Sequence, residues 1–198
     1  RYKRHILIKN IGGQGQKKLG KAKVLLVGLG GIGSTVLQHL AAVGIGKIGL
    51  VDQDTVALSN LQRQTIYTFA DIGRKKVSIA SNFIKNLNKN IDVTEYDFFL
   101  KENDSTKIIR EYDVILDGTD NIEARELINQ HCIKQRKPLI FGGVSGWDGL
   151  VSLFIHKNSA CFKCIFTNSE ESPTYFDCSS EGVLGVTTSL VGTLMVAE

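Results

Sequence analysis

The chain has 198 residues, enough for one domain of ordinary to large size and too few for two full ones. Hydrophobic residues at 42% and charged residues at 22% exclude the disordered and fibrous classes, and no apolar run approaches the roughly 20 residues of a membrane span. The net charge of +4, spread without a long basic run, gives no footprint for nucleic acid and suits small anionic ligands such as phosphates.

In chain order, residues 1–20 read as a basic arm or helical lead-in with one apolar patch at Ile6, Leu7 and Ile8. Val24 to Val27 is a continuous apolar run, the pattern of a strand buried on both faces of a parallel sheet. A Gly-rich turn follows at Gly28 to Gly33. Val36, Leu37, Leu40 and Val43 then mark one helical face, stopped by Gly44 and Gly46. Ile48 to Val51 is the next strand, ended by Asp52. Val77, Ala80, Ile84 and Leu87 predict a second helix, Ile91 to Thr94 a strand, and Val114 to Leu116 a third buried strand ended by Asp117. Ile122 to Ile133 reads as helix and Leu139 to Phe141 as strand. Leu150 to Ile155 alternates as a strand, a polar cysteine-bearing loop follows, and a last apolar helix starts near Val186. The β-α-β-α alternation predicts a doubly wound, Rossmann-like α/β fold with a mainly parallel sheet and a C-terminal strand, loop and helix extension.

Gly28-Leu29-Gly30-Gly31-Ile32-Gly33 fits G-x-G-x-x-G between a strand and a helix. Gly28 allows the tight turn, Gly30 lets backbone approach a phosphate, and Gly33 lets the helix pack on the sheet. The helix start offers free N–H groups to an anion. Asp52, at the end of the next strand, can accept hydrogen bonds from a ribose. The motif fits NAD and ATP alike.

A triphosphate asks for further cations and a metal-linked carboxylate. Ser59-Asn60-Leu61-Gln62-Arg63-Gln64, Lys76, and Asp120 in Gly118-Thr119-Asp120-Asn121 all follow strand ends, on the sheet edge where open α/β sheets bind ligands. Singly, each has a plainer reading: Arg63 and Lys76 as solvated charges, Asp120 or Asn121 as a helix N-cap. Jointly they favour a triphosphate site.

These segments resemble the bacterial E1-like family of ThiF, MoeB and HesA. The likeness rests on Arg1-Tyr2-x-Arg4, the Gly-rich turn, Asp52-x-Asp54, Ser59 to Gln64, Asp71-Ile72-Gly73-x-x-Lys76, Asp117-x-Thr119-Asp120-Asn121, Cys161-x-x-Cys164, and Cys178 with Glu181 to Gly185, in that order. The resemblance implies a single E1-like ATP-binding adenylation domain over residues 1–198. Its activity would be adenylylation of the C-terminal glycine of a small ThiS- or MoaD-like sulfur carrier. By the same resemblance, Asp52 is the ribose-binding acid, and Asn60, Arg63 and Lys76 hold the ATP phosphates. Asp54, Gln64, Gly31 and Asn121 complete the cofactor-binding set, and Asp120 is the Mg²⁺-linked catalytic aspartate. Arg4 reaches the partner subunit's site, which implies a homodimer. The sulfur donor would be a protein such as a cysteine desulfurase. Lys75 stands where the family commonly has Pro, and Gly118 where it commonly has Cys; neither change removes a catalytic group.

Cys161-Phe162-Lys163-Cys164 supplies two ligands of a zinc site. The resemblance places a second such pair beyond Glu198, so zinc is expected in the full-length protein. A redox role is disfavoured because the pair does not open a thioredoxin-like helix. Cys178 sits in a polar loop, as a nucleophile or a bystander thiol, and Cys132 reads as a buried small hydrophobe. The C-x-x-C pair and the lack of a secretory signal place the chain in the cytoplasm. A start at Arg1 and a stop inside an apolar run suggest a piece of a longer chain. Two alternatives stay open: an NAD-dependent Rossmann oxidoreductase, and a catalytically silent E1-like scaffold.

Overall fold

The computed structural model describes residues 1–155, 160–166 and 182–198. Lys23–Val27 (β1) lies in the middle of a six-stranded sheet. Its apolar run is continuous because both faces are covered: Val24 and Leu26 enter one core, Leu25 and Val27 the other. Lys47–Val51 (β2) and Asp92–Tyr96 (β3) continue the sheet on one side. Val114–Asp117 (β4), Leu139–Ser145 (β5) and Asp148–Phe154 (β6) continue it on the other. The order is β3-β2-β1-β4-β5-β6, with β1 to β5 parallel and β6 antiparallel at the edge. The direction of winding reverses between β1 and β4, so a crevice opens there at the carboxyl ends of the strands.

Gly31–Val43 (α3), Lys76–Leu87 (α4) and the C-terminal helix Gly185–Ala197 (α8) surround the core that receives Val24, Leu26, Ile48 and Leu50. Glu102–Arg110 (α5), Ile122–Gln135 (α6) and the short helix Phe162–Phe166 (α7) surround the other. Gly44 ends α3 at φ +83°, a left-handed conformation that glycine adopts without a Cβ penalty. Among the described residues, no helix is long and apolar enough to cross a membrane.

The lead-in forms two helices, Lys3–Ile6 (α1) and Gly12–Leu19 (α2). It is pinned to the amino-terminal edge of the sheet. Asn88 Nδ2 donates to the Tyr2 hydroxyl at 2.8 Å and to the Ala41 carbonyl at 3.1 Å, and Gln16 Nε2 donates to the Val43 carbonyl at 2.9 Å.

Three sequence expectations need correction. Helix α5 has no counterpart among the sequence expectations: in Glu102–Arg110 only Ile108 and Ile109 are apolar, and the third residue of its buried, helically spaced face is the polar Ser105. Strand β5 runs to Ser145, four residues past Phe141. Cys161 directly precedes helix α7, so the C-x-x-C pair does open a helix, described over Phe162–Phe166.

Candidate active site

The Gly-rich turn is built by backbone crowding. Gly28 has φ +87°, and a Cβ there would sit 2.8 Å from the Gly118 carbonyl oxygen. A Cβ on Gly33 would fall on the Gly28 carbonyl oxygen. The start of α3 therefore rests directly on the loop, and the loop on the end of β4. Residues Gly28 and Gly118 touch because β1 and β4 are neighbours in register, Val27 opposite Asp117.

This junction is the floor of a cavity of about 450 Å³, within the usual range for small-molecule sites. Gly28, Gly30, Gly31, Asp52, Asp54, Asn60, Arg63, Gln64, Lys76, Asp120 and Asn121 all line it. Of the four glycines of the turn, only Gly33 does not; it packs beneath. Arg4 is on the opposite edge of the sheet and does not reach this cavity. Cys161 and Cys164 are also away from it, and Cys178 lies outside the described residues.

Asp52 ties the turn to β2. Its Oδ2 accepts from Leu29 N–H at 2.7 Å and its Oδ1 from Asp54 N–H at 2.8 Å. Burial pushes its carboxyl above the ordinary range, against the pull of the Lys76 ammonium and the two N–H groups. Lys76 is itself buried at the start of α4, and its Nζ lies 2.8 Å from Asp54 Oδ2. Asn60 braces its own loop, accepting from Ala57 N–H at 3.1 Å, while Arg63 Nη1 donates to the Ser59 carbonyl at 3.1 Å. Gln64 Oε1 is buried with no hydrogen-bond partner among the described residues, an acceptor open to an N–H or O–H from a ligand or a water.

Asn121 Oδ1 accepts from Ala124 N–H at 2.9 Å and is the N-cap of α6. Asp120 is not used as a cap; it is exposed at the cavity lip. One carboxylate beside bound phosphates is the arrangement by which Mg²⁺ is usually held, so Asp120 fits that ion.

Residues missed in the sequence complete the wall. Phe98, Phe99 and Leu100 follow β3 and carry no polar motif. Thr188 arrives from α8, whose side chain would meet a Cβ on Gly31 at 3.0 Å. Arg125, Val144 and Val183 also line the cavity. The signal available for them was only apolar periodicity or a single charge.

The thiols of Cys161 and Cys164 are 3.3 Å apart. Burial alone would raise the Cys161 thiol, but hydrogen bonds from Cys164, the Asn129 side chain and Lys163 N–H hold it below its ordinary value. Asn129, buried on α6, also accepts from Phe162 N–H at 3.1 Å. Two such thiols suit half of a tetrahedral zinc site; no group of three or more metal-ligating side chains occurs among the described residues. Cys132 is fully buried, and burial pushes its thiol up, so it is a core residue. Buried His131 faces Thr106 and Glu102 and does not line the cavity.

Comparison with known proteins agrees with this geometry. Adenylyltransferase and sulfurtransferase MOCS3-1 of Zea mays is 38% identical over 198 residues, which cover 100% of this chain and 42% of that protein. A sulfur carrier protein adenylyltransferase of Thermus thermophilus is 37% identical over 203 residues, covering 100% of this chain and 75% of that protein. The chain thus spans less than half of the maize relative's length. A crystal structure of E. coli MccB with AMPCPP and MccA superposes with a TM-score of 0.77 at 26% identity, over 92% of this chain and 55% of that one. The ThiF family model matches residues 2–198, and the chain belongs to the ThiF family.

Proposed function

We propose that residues 1–198 form one E1-like adenylation domain that binds ATP with Mg²⁺ and adenylylates the C-terminal glycine of a small ubiquitin-like sulfur carrier, ThiS- or MoaD-like. The carrying observation is the joint placement of Asn60, Arg63, Lys76 and Asp120 around the Gly-rich turn in one cavity. A pyrophosphate-binding NAD site has no use for all four. Gly28, Gly30 and Gly31 would cradle phosphate at the start of α3, and Asp52 would receive the ribose hydroxyls.

In the reaction, a carboxylate oxygen of the carrier's last glycine attacks the α-phosphorus of ATP. A new P–O bond forms and the bond from the α-phosphorus to the bridging oxygen breaks. Pyrophosphate leaves, and an acyl-adenylate remains for sulfur transfer. No proton moves, because the attacking carboxylate is ionised near neutral pH; the cavity accordingly needs no histidine base. The work is positional and electrostatic. Arg63 and Lys76 neutralise the leaving phosphates, and Mg²⁺ at Asp120 would supply further positive charge. Arg4, held on the far edge of its own sheet, would serve the site of a second copy, so the active form is a homodimer. Cys178 would be the candidate nucleophile for later sulfur transfer from a donor such as a cysteine desulfurase. Cys161 and Cys164 would hold zinc together with ligands outside the described residues. The setting is cytoplasmic.

The test is carrier-dependent ATP–pyrophosphate exchange by the intact protein, with purified ThiS- and MoaD-like carriers in separate arms. Exchange with one carrier, lost in Asp120→Ala, is expected. No exchange with either, together with binding of NADH but not ATP, overturns the reading in favour of an oxidoreductase. Binding of ATP without exchange by any carrier points to a silent scaffold.

A further inference from the structure

The loop that carries Asp120 is held through its neighbour, Thr119. Asp117, the last residue of β4, lies under the loop. Its Oδ1 accepts from Thr119 N–H at 2.9 Å and from Thr119 Oγ1 at 2.7 Å. On the other side, Arg125 reaches back from the first turns of α6. Its Nη2 donates to the Thr119 carbonyl at 2.8 Å and its Nε to the same oxygen at 3.3 Å. Every polar group of Thr119 is thereby engaged.

The two holders share a foundation. Asp117 and Phe141 are partners across the β4–β5 ladder. The Arg125 guanidinium stands 5.2 Å from the centre of the Phe141 ring, a cation–π distance. Both Asp117 and Arg125 are buried. The peptide between Thr119 and Asp120 is planar, so fixing the Thr119 carbonyl fixes the plane from which the Asp120 Cα hangs. The side chain of Asp120 is left to point at the cavity, since Asn121 takes the capping role.

We propose that Arg125 and Asp117 are positioning residues that hold the Thr119–Asp120 peptide so that Asp120 meets the metal–triphosphate complex. This deepens the adenylation reading above and rests on it for the identity of the ligand. Arginine is required at 125, because lysine has no planar fork and stacks poorly on a ring. A guanidinium that only braced the core would be indifferent to the metal.

Mn²⁺–ATP binding to the intact protein, followed by electron paramagnetic resonance, tests the idea without needing turnover. Arg125→Lys should weaken Mn²⁺–ATP binding by about tenfold, while binding of metal-free ATP stays within about twofold. In exchange assays it should lower kcat and raise both the Mg²⁺ concentration for half-maximal rate and the KM for the metal–ATP complex. Asp120→Ala and the double variant Asp120→Ala/Arg125→Lys should bind Mn²⁺–ATP equally, because Arg125 acts through Asp120. Thr119→Val, which removes only the Oγ1 bond to Asp117, is the second variant should Arg125→Lys fold poorly, and should show the same pattern at about threefold. Wild-type Mn²⁺–ATP affinity in Arg125→Lys, or a full additional loss in the double variant, overturns the proposal. Loss of all carrier-dependent exchange in the wild type, with the Mn²⁺–ATP pattern intact, overturns the adenylation reading and leaves this one standing.

Discussion

Lys76 offers the sharpest separation of catalysis from stability. The fold buries its side chain to 6% exposure, with Nζ 2.8 Å from an Asp54 carboxylate that is 60% exposed. Lys76→Met keeps the apolar contacts of the stem and deletes the charge. An ion pair with so exposed a partner contributes ~0–1 kcal/mol to stability. For a chain of this size, 1 kcal/mol corresponds to roughly 2–4 °C in Tm. The same ammonium about 4 Å from a phosphate oxygen, at an effective dielectric near 20, interacts by ~4 kcal/mol. Part of this is spent in the ground state, so the loss in the rate-determining step should match that of one preorganised donor, ~10²–10³-fold. Carrier-dependent pyrophosphate exchange and thermal denaturation with and without ATP read the two effects separately. The expected outcome is a drop of that size in exchange, a Tm within a few degrees of wild type, and a smaller upward shift of Tm by ATP. Exchange within about threefold of wild type would show that Lys76 does not meet the phosphates. A collapse of Tm by more than about 10 °C would show that its ammonium holds the fold instead.

Asn121→Ala removes the cap of α6 and should cost about 1 kcal/mol of stability, whereas Asp120→Ala should leave Tm unchanged and abolish exchange; urea titration of both variants checks this. Asp117, pushed above the ordinary carboxylate range by full burial, binds its proton more tightly folded than unfolded. Its ionisation therefore removes stability as pH rises from the ordinary carboxylate value through its raised one, and Asp117→Asn, which keeps the Oδ1 acceptor, should flatten that fall in a pH series of unfolding curves. Arg4→Ala and Asp120→Ala, each inactive alone, should regain about a quarter of wild-type exchange when mixed and reassembled, since half the dimers then carry one intact composite site; no recovery on mixing would place Arg4 in its own subunit's chemistry or outside it. Metal analysis of the intact protein should find zinc that is lost in Cys161→Ser.

The parts that were legible in the sequence are those whose physics is local. The run Val24 to Val27 reads as a doubly covered strand because each of its residues must be apolar for that to hold, and both cores receive it. The glycines read as a phosphate turn because an ordinary side chain at Gly28 or Gly33 would collide with backbone. Asn60, Arg63, Lys76 and Asp120 could be gathered in advance because all follow strand ends, and parallel strands present those ends on one edge. What depends on chain returning from a distance left no such trace. Thr188 meets Gly31 only because α8 lies along α3. Helix α5 buries Ser105, Ile108 and Ile109 at helical spacing, but with a polar residue in that face the pattern is faint along the chain, and the helix is held by packing Ile108 and Ile109 into the core. Arg125 is the clearest case. In the sequence it is one more cation on a helix, where a solvated charge is the ordinary expectation. It becomes a clamp only because β4 ends beside Phe141 of β5, so that a side chain reaching back from α6 finds a ring and a carbonyl at once. Asp120 is visible as part of a motif; the reason it would point at the cavity lies in a register between two strands that no spacing along the chain encodes.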